Sequence, residues 1–400
     1  MENLVAIKAC DNYEQANVDK AVAEGFKLLG GVEKFVKKGQ MVALKVNLVH
    51  KATPEEVTTT HPSVVLAVAK QIQSVGADCF IVDSAGGAYN ASAMAPIYKA
   101  SGMLELNEKY GIKINDNYES FNAPVNGRVS KEVELLDALE KADVIFNLCK
   151  LKTHGFTGIS NAVKNMYGAI PGLVKVEYHS KFPSLDTFND NLYDIHNYYG
   201  KKLCLHISDA IIGMEGAGPT HGTPRKIGLI LMGSNPACVD TIGCRLMDVD
   251  PKTIPTIEEG IKYGYLTEDL DVKTIGDDYT KFVIKDYKSI KPNKYTPFAS
   301  AVPKCLQKIV TDWMTQRPTI SCKKCKGCSK CFNHCPMKAI EMKTNKKGKR
   351  YAVIDYNKCI RCYCCQELCP FGVVKIKTGW IYKIRHKNDN KKNKKAKSEV

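Results

Sequence analysis

The chain has 400 residues, 44% of them hydrophobic, and its 58 lysines and arginines outweigh 42 acidic residues to give a formal net charge of +16. That length and apolar share describe a globular protein of two or three domains. No run of about 18 apolar residues occurs, and the N-terminal MENLVAIKAC has neither a basic start nor an apolar centre, so no transmembrane segment or signal peptide is read and a cytoplasmic location is expected.

In chain order, LVAIKAC, MVALKVNL, DCFIVDSAG, DVIFNLCKLK, KLCLHISDAI and KIGLILMG read as strands. Between them NVDKAVAEGFKLLG, HPSVVLAVAKQIQSVG, KEVELLDALEKA and PACVDTIGCRLMDV carry helical periodicity. Strands that are apolar on both faces and alternate with helices predict an α/β domain, a mostly parallel sheet with helices on both faces, over residues 1–290. Residues 291–317 read as a linker, with an amphipathic turn or helix around CLQKIVTDWM. A small α+β domain is expected over 318–380 and a basic, disordered tail over 381–400.

In such a sheet ligands bind beyond the carboxyl ends of the strands. The polar residues collect there: Lys45 and Asn47 after the second strand, His61 opening a helix, Asp83 and Ser84 after the third. Lys150, Lys152, Thr153 and His154 follow VIFNL and begin LKTHGFTGISNAVKNMYG; Asp209 and Glu215 follow CLHIS, before the glycine-rich GMEGAGPTHG. Taken together they predict an anion or carbonyl site, with Lys152 and Lys164 stabilising charge and His154 delivering a proton. Lys45, Asn47, His61, Asn165, Asp209 and Glu215 would bind the substrate. Each also has a structural reading: Lys45 at the surface, Asp83 as a helix cap, His61 bonding a helix start, Glu215 in a turn. No dinucleotide or phosphate-loop fingerprint occurs.

Eleven of the seventeen cysteines lie at Cys305 or between Cys322 and Cys369, a crowding that reads as metal ligation. Cys10, Cys79, Cys149, Cys204, Cys238 and Cys244 read as small buried hydrophobes. CKGCSKCFNHCP from Cys325 and CIRCYCCQELCP from Cys359 share one spacing, C-x2-C-x2-C-x3-C-P, an internal duplication. Three thiolates two residues apart wrap one corner of a cubane, while the fourth cysteine faces the other cluster. Two [4Fe-4S] clusters are expected, one on Cys325, Cys328, Cys331 and Cys369, the other on Cys359, Cys362, Cys365 and Cys335. Zinc is the alternative, but it gives no reason for the duplicated x3-C-P. Two such clusters at roughly −2 each leave the chain at about +12. Lys324, Lys326, Lys330 and Arg361 lie among the ligands and should favour the reduced state.

Pro318 to Lys377 resembles the bacterial two-cluster ferredoxins, with AIEMK, YAVID and VVKIK as the flanking strands. The set LKVNL, THPSVV, VDSAG, KLKTHGFTGISNAVKNMYGAIPG, DAIIGMEGAGPTHGTPR and ACVDTIGCRLM is similar to the domain of unknown function 362 family, often fused to such a ferredoxin module. That resemblance implies a fold and an iron-sulfur partnership but no substrate. GISNAVKNMYGAIPG is also similar to the cofactor-binding segment of nickel-pincer lactate racemase, although the glycine pair before that segment's lysine is missing.

The expected function is therefore electron transfer of ferredoxin type, to or from a redox partner protein or a small-molecule substrate on the α/β domain. The alternatives are a ferredoxin-linked reductase acting on a small anionic or carbonyl substrate, which would make the chain an iron-sulfur oxidoreductase, and a nucleic-acid-binding protein with structural clusters. No aromatic residues interleave with the tail lysines, which leaves base stacking without support.

Overall fold

The structure is a computed structural model that describes residues 2–292 and 315–379. Cys305, the CLQKIVTDWM segment and the basic tail lie outside the described residues. The chain divides into two compact units, Met1–Pro292 and Asn293–Val400. No helix among the described residues is long and apolar enough to cross a membrane.

The first unit contains eleven strands: β1 (Leu4–Ala9), β2 (Met41–Lys45), β3 (Asp78–Val82), β4 (Lys113–Ile114), β5 (Ser120–Ala123), β6 (Val133–Leu136), β7 (Val144–His154), β8 (Gly158–Ser160), β9 (Leu203–Glu215), β10 (Thr223–Gly233) and β11 (Lys273–Gly276). Nine form one sheet in the order β11-β1-β10-β9-β7-β2-β3-β4, with β8 paired to β7. The run β9-β7-β2-β3-β4 is parallel throughout. Antiparallel pairs join β10 to β9 and to β1.

Helices cover the sheet in two groups. The first group contains α1 (Gln15–Leu28), α2 (Pro62–Ser74), α3 (Ala91–Ala100) and α4 (Met103–Tyr110). Val18, Ala21, Val22, Gly25 and Phe26 recur at i, i+3, i+4, i+7 and i+8, the stripe by which α1 packs on β1, β10 and α2. Phe26 stands 6.0 Å from Phe146 of β7, ring to ring, and its burial stabilises the fold by roughly 1.5–3 kcal/mol. Gly25 lets α1 approach the sheet closely, because a Cβ there would displace the Met232 sulfur. The second group, α6 (Ala162–Asn165), α8 (Leu185–Tyr199), α9 (Pro236–Leu246) and α10 (Pro255–Lys262), packs mutually and on β7, β9 and β10. Two short helices, α5 (Asp137–Lys141) and α7 (Val174–Lys181), complete the unit.

Two sequence expectations are corrected here. KEVELLDALEKA is not one helix: Val133–Leu136 forms β6 in register with β5, and only Asp137–Lys141 is helical. Cross-strand pairing of the apolar VELL overrides its helical periodicity. The polar residues after VIFNL and CLHIS are not loops either. β7 continues to His154 and β9 to Glu215, because β8 and β10 supply ladder partners, Lys152↔Ser160 and Glu215↔Thr223.

The second unit repeats itself at a spacing of 34 residues. Strands β12 (Gln316–Ile320) and β13 (Ile340–Thr344) recur as β14 (Arg350–Ile354) and β15 (Val374–Thr378), and α11 (Lys330–Asn333) recurs as α12 (Cys364–Glu367). The backbone repeats as well, with left-handed φ at Gly327 and Arg361, at Ser329 and Tyr363, and at Lys338 and Gly372. Each two-stranded sheet takes one strand from each half, β12 with β15 and β13 with β14. The duplicated halves are therefore interleaved.

Candidate functional site

At the carboxyl edge of the parallel strands, charged side chains are buried inside β7 and β9. Lys150 and Asp209 face each other across the ladder, Nζ to Oδ2 2.9 Å, and are 1% and 0% exposed. The hydroxyl of Tyr13 accepts from Lys150 Nζ at 2.6 Å and donates to Asp209 Oδ1 at 2.8 Å. Asp209 also accepts the backbone N–H of His61 at 3.0 Å. The His61 ring stacks on Tyr13 with centroids 3.6 Å apart, and its Nδ1 accepts from Ser63 N, capping α2. Burial pushes the His61 imidazole down to about 4.

A second pair ties β2 to β3. Lys45 Nζ meets Asp83 Oδ1 at 2.7 Å and donates to the carbonyls of Val46 and Asn165 at 2.8 and 3.0 Å. Its three ammonium protons are thereby used. Burial lowers the Lys45 pKa while Asp83 opposes the shift. Asp83 Oδ2 accepts Leu48 N–H at 2.6 Å, which locks the loop after β2.

Between these pairs runs a one-way chain of donors. Lys152 Nζ donates to Asn47 Oδ1 and to the Thr58 carbonyl, each at 2.7 Å. Asn47 Nδ2 donates to Asn165 Oδ1 at 2.8 Å, and Asn165 Nδ2 to Asn147 Oδ1 at 2.7 Å. Asn147 Nδ2 meets His206 Nδ1 at 2.9 Å. Burial holds His206 well below the ordinary imidazole pKa, so it is neutral and accepts at Nδ1. The network fixes Lys152 at the edge of three strands, in a setting where a buried ammonium can stabilise developing negative charge.

Of the residues expected to act, Lys45, Asn47, Lys152 and Asn165 come together, and His61 and Asp209 form the neighbouring nest. His154 sits in the β7–β8 hairpin, where its Nδ1 accepts N–H from Phe156 and Thr157 at 3.1 and 3.3 Å. That bonding holds the ring as the Nε2–H tautomer. Lys164 is half-buried, 5.5 Å from the Tyr167 ring centroid. Glu215 pairs instead with Lys288, at 3.1 Å to Nζ and 3.2 Å to its backbone N–H. Sequence reasoning passed over Tyr13, Asn147 and Lys175. Lys175 bonds the Ser84 carbonyl, and burial pushes its pKa down to about 7. Only Asn147, inside VIFNL, carries a signal, being a polar residue in an otherwise apolar buried strand.

In the second unit two voids are lined by thiols. One is bordered by Cys325, Cys328, Cys331 and Cys369, the other by Cys335, Cys359, Cys362 and Cys365 together with Cys364. The first void thus receives three cysteines from one motif and one from the other; the second receives Cys359, Cys362 and Cys365 at the matching spacings, the extra Cys364, and Cys335 from the first motif. Backbone N–H groups point at sulfur, Ala339 to Cys335 at 3.2 Å and Gly327 to Cys325 at 3.5 Å. A set of four thiols with N–H donors suits an iron-sulfur cluster, whose thiolates carry negative charge. Arg361, expected to act on a cluster, bonds Thr315 Oγ1 and the Gln316 carbonyl and so anchors β12. Cys10, Cys79, Cys149, Cys238 and Cys244 are buried and Cys204 half-buried, and burial raises the thiol pKa of Cys10 to about 11.

Comparison with known proteins agrees with this division. Residues 324–373 match the family described as a 4Fe-4S dicluster domain, so the chain carries an iron-sulfur, metal-binding module. The thylakoid-associated protein sll1697 of Synechocystis sp. is 32% identical over 270 residues, 66% of this chain and 80% of that protein. Among solved structures, the lactate racemase apoprotein from Thermoanaerobacterium thermosaccharolyticum is 12% identical, with 62% of this chain and 57% of that chain covered and a TM-score of 0.38. A Thermotoga maritima protein is likewise 12% identical, with 56% of each chain covered and a TM-score of 0.32. Neither carries an inference about function. Residues 42–245 match the domain of unknown function DUF362, and the chain therefore belongs to that family, joined in one polypeptide to a 4Fe-4S dicluster domain.

Proposed function

We propose that the chain is an electron-transfer protein of ferredoxin type that holds two [4Fe-4S] clusters. The first is bound by Cys325, Cys328, Cys331 and Cys369, the second by Cys359, Cys362, Cys365 and Cys335. The observation that carries this reading is the pair of voids, each lined by the first three C-x2-C-x2-C positions of one motif and the x3-C position of the other, with Cys364 as an extra thiol in the second. When bound, such clusters supply one-electron chemistry at potentials set by ligation, hydrogen bonding and exposure. The chain's own part is to hold eight thiolates, to aim N–H donors at sulfur and to restrict water. Cys369→Ser tests the pairing. Iron content and the paramagnetic resonance of the reconstituted protein should report loss of the cluster of the first motif; loss confined to the cluster of Cys359, Cys362 and Cys365 would refute it.

A second reading is favoured by the buried Lys152 network: a ferredoxin-linked reductase that acts on a small anionic or carbonyl substrate in the α/β unit. Lys152 would stabilise the anion and His154 would give a proton from Nε2. Electrons drawn from the reduced protein by a panel of small carbonyl compounds should be lost in Lys152→Met and in His154→Gln, with both cluster signals intact. Undiminished electron loss in both variants would remove those residues from the reaction. A cytoplasmic location belongs to the same proposal. Cell fractionation distinguishes it from the thylakoid association stated for the Synechocystis relative: recovery with membranes would contradict it.

A further inference from the structure

The charge of this protein is not spread evenly. Residues 1–292 hold 32 lysines and arginines against 36 acidic residues, whereas residues 315–379 hold fifteen against three. Two clusters at roughly −2 each would still leave that segment near +8. Part of the excess borders one of the two thiol-lined voids. Lys326 and Lys330 border the void of Cys325, Cys328, Cys331 and Cys369, and both are exposed, as are Lys323, Lys324 and Lys338.

Large apolar side chains stand exposed in the same unit, and Phe371 borders the same void as Lys326 and Lys330. Phe371 is 50% exposed, Phe332 46% and Met337 38%, half of the exposed large hydrophobics among the described residues. Each follows a cysteine of the motifs: Phe332 comes directly after Cys331, Met337 after Cys335-Pro336, and Phe371 after Cys369-Pro370. Phe371 borders the first void, and Cys328 of that void is itself exposed.

An apolar contact beside an exposed redox centre, ringed by one sign of charge, is the arrangement that electron-transfer encounters use. The interface is small, opposite charge steers the approach, and desolvated apolar groups let the centres come close. We propose that the face formed by Cys328, Phe371, Lys326 and Lys330 docks a small acidic one-electron carrier protein, its carboxylates around an apolar patch. The inference rests on the iron-sulfur reading above. The carrier is oxidised by one electron and this chain is reduced by one, with no bond made or broken.

The test uses the full-length, iron-loaded protein, an acidic plant-type [2Fe-2S] ferredoxin as probe, basic cytochrome c as control, and vesicles of phosphatidylglycerol. Iron content and resonance spectra are taken on every sample. Ferredoxin binding should weaken steeply with salt. Carbodiimide cross-links should map to Lys326 and Lys330, and the double variant Lys326→Gln/Lys330→Gln should weaken low-salt binding by about tenfold or more. Phe371→Ala should slow electron uptake from ferredoxin by a larger factor than uptake from dithionite, with iron content and resonance spectra reporting the cluster itself. Binding indifferent to salt and to the double variant, equal binding of cytochrome c, or a lysine effect confined to the vesicles overturns the docking proposal. Failure to take up iron overturns the cluster reading, and the docking proposal with it.

Discussion

Asp209→Ala is the sharpest test of the buried edge. The carboxylate accepts from Lys150 at 2.9 Å, Tyr13 at 2.8 Å and the His61 N–H at 3.0 Å. Its removal leaves the Lys150 ammonium, 1% exposed, with only the Tyr13 hydroxyl, and orphans a backbone donor. Breaking a buried pair by removing one partner costs about 3–5 kcal/mol, and an unsatisfied buried donor adds about 1–3 kcal/mol. The single variant should therefore lose about 4 kcal/mol or more. Lys150→Met/Asp209→Leu removes both charges and should recover most of that loss. Both tryptophans lie outside residues 1–292, so urea unfolding of the α/β unit is followed by circular dichroism at 222 nm, fitted as its own transition. A single variant that costs under about 1 kcal/mol, or a double variant as unstable as the single one, would refute the claim that this pair is buried and mutually dependent.

Other outcomes follow from the same packing. Burial pushes His196 down to about 4 from its ordinary 6.5, so its contribution to stability is complete above pH 6.5 and is lost as the pH falls toward 4. The slope approaches about 1.4 kcal/mol per pH unit, and His196→Gln should flatten acid unfolding within that window. Asp240 acts with the opposite sign. Burial raises its carboxyl to about 7, stability is lost as pH rises from 3.8 through that value, and Asp240→Asn should steepen the acid loss. Gly168→Ala would drive a Cβ into the Asp83 carboxylate and the Lys45 ammonium and should cost about 1–3 kcal/mol by the same unfolding assay. An unchanged midpoint would show that Gly168 does not press on that pair.

Much of the architecture was legible because it was written in periodicity. The six apolar runs became β1, β2, β3, β7, β9 and β10, and the 34-residue repeat of cysteines became a repeat of strands, helices and left-handed φ angles. Short elements escaped: β4, β5, β8 and β11 have two to four residues each, too few for a pattern, and exist through their partners. The edge of the sheet was located from its polar residues, but its wiring was not. Nothing local in Tyr13 shows that it joins Lys150 to Asp209 across nearly two hundred residues of chain, and nothing in Glu215 shows that it pairs with Lys288. Lys45 looked like a ligand-binding cation from sequence, whereas a carboxylate and two carbonyls occupy its protons. Long-range pairings of this kind are set by topology, which single-residue chemistry does not encode.

The central claim, that the chain carries electrons on two clusters, is tested most directly by an anaerobic reductive titration of the iron-loaded protein followed by electron paramagnetic resonance. The account predicts two reducible clusters whose spectra show magnetic coupling, because the interleaved halves would hold both in one small unit. Clusters that stay silent under strong reductants would contradict it and would make the thiol-bound iron a structural element.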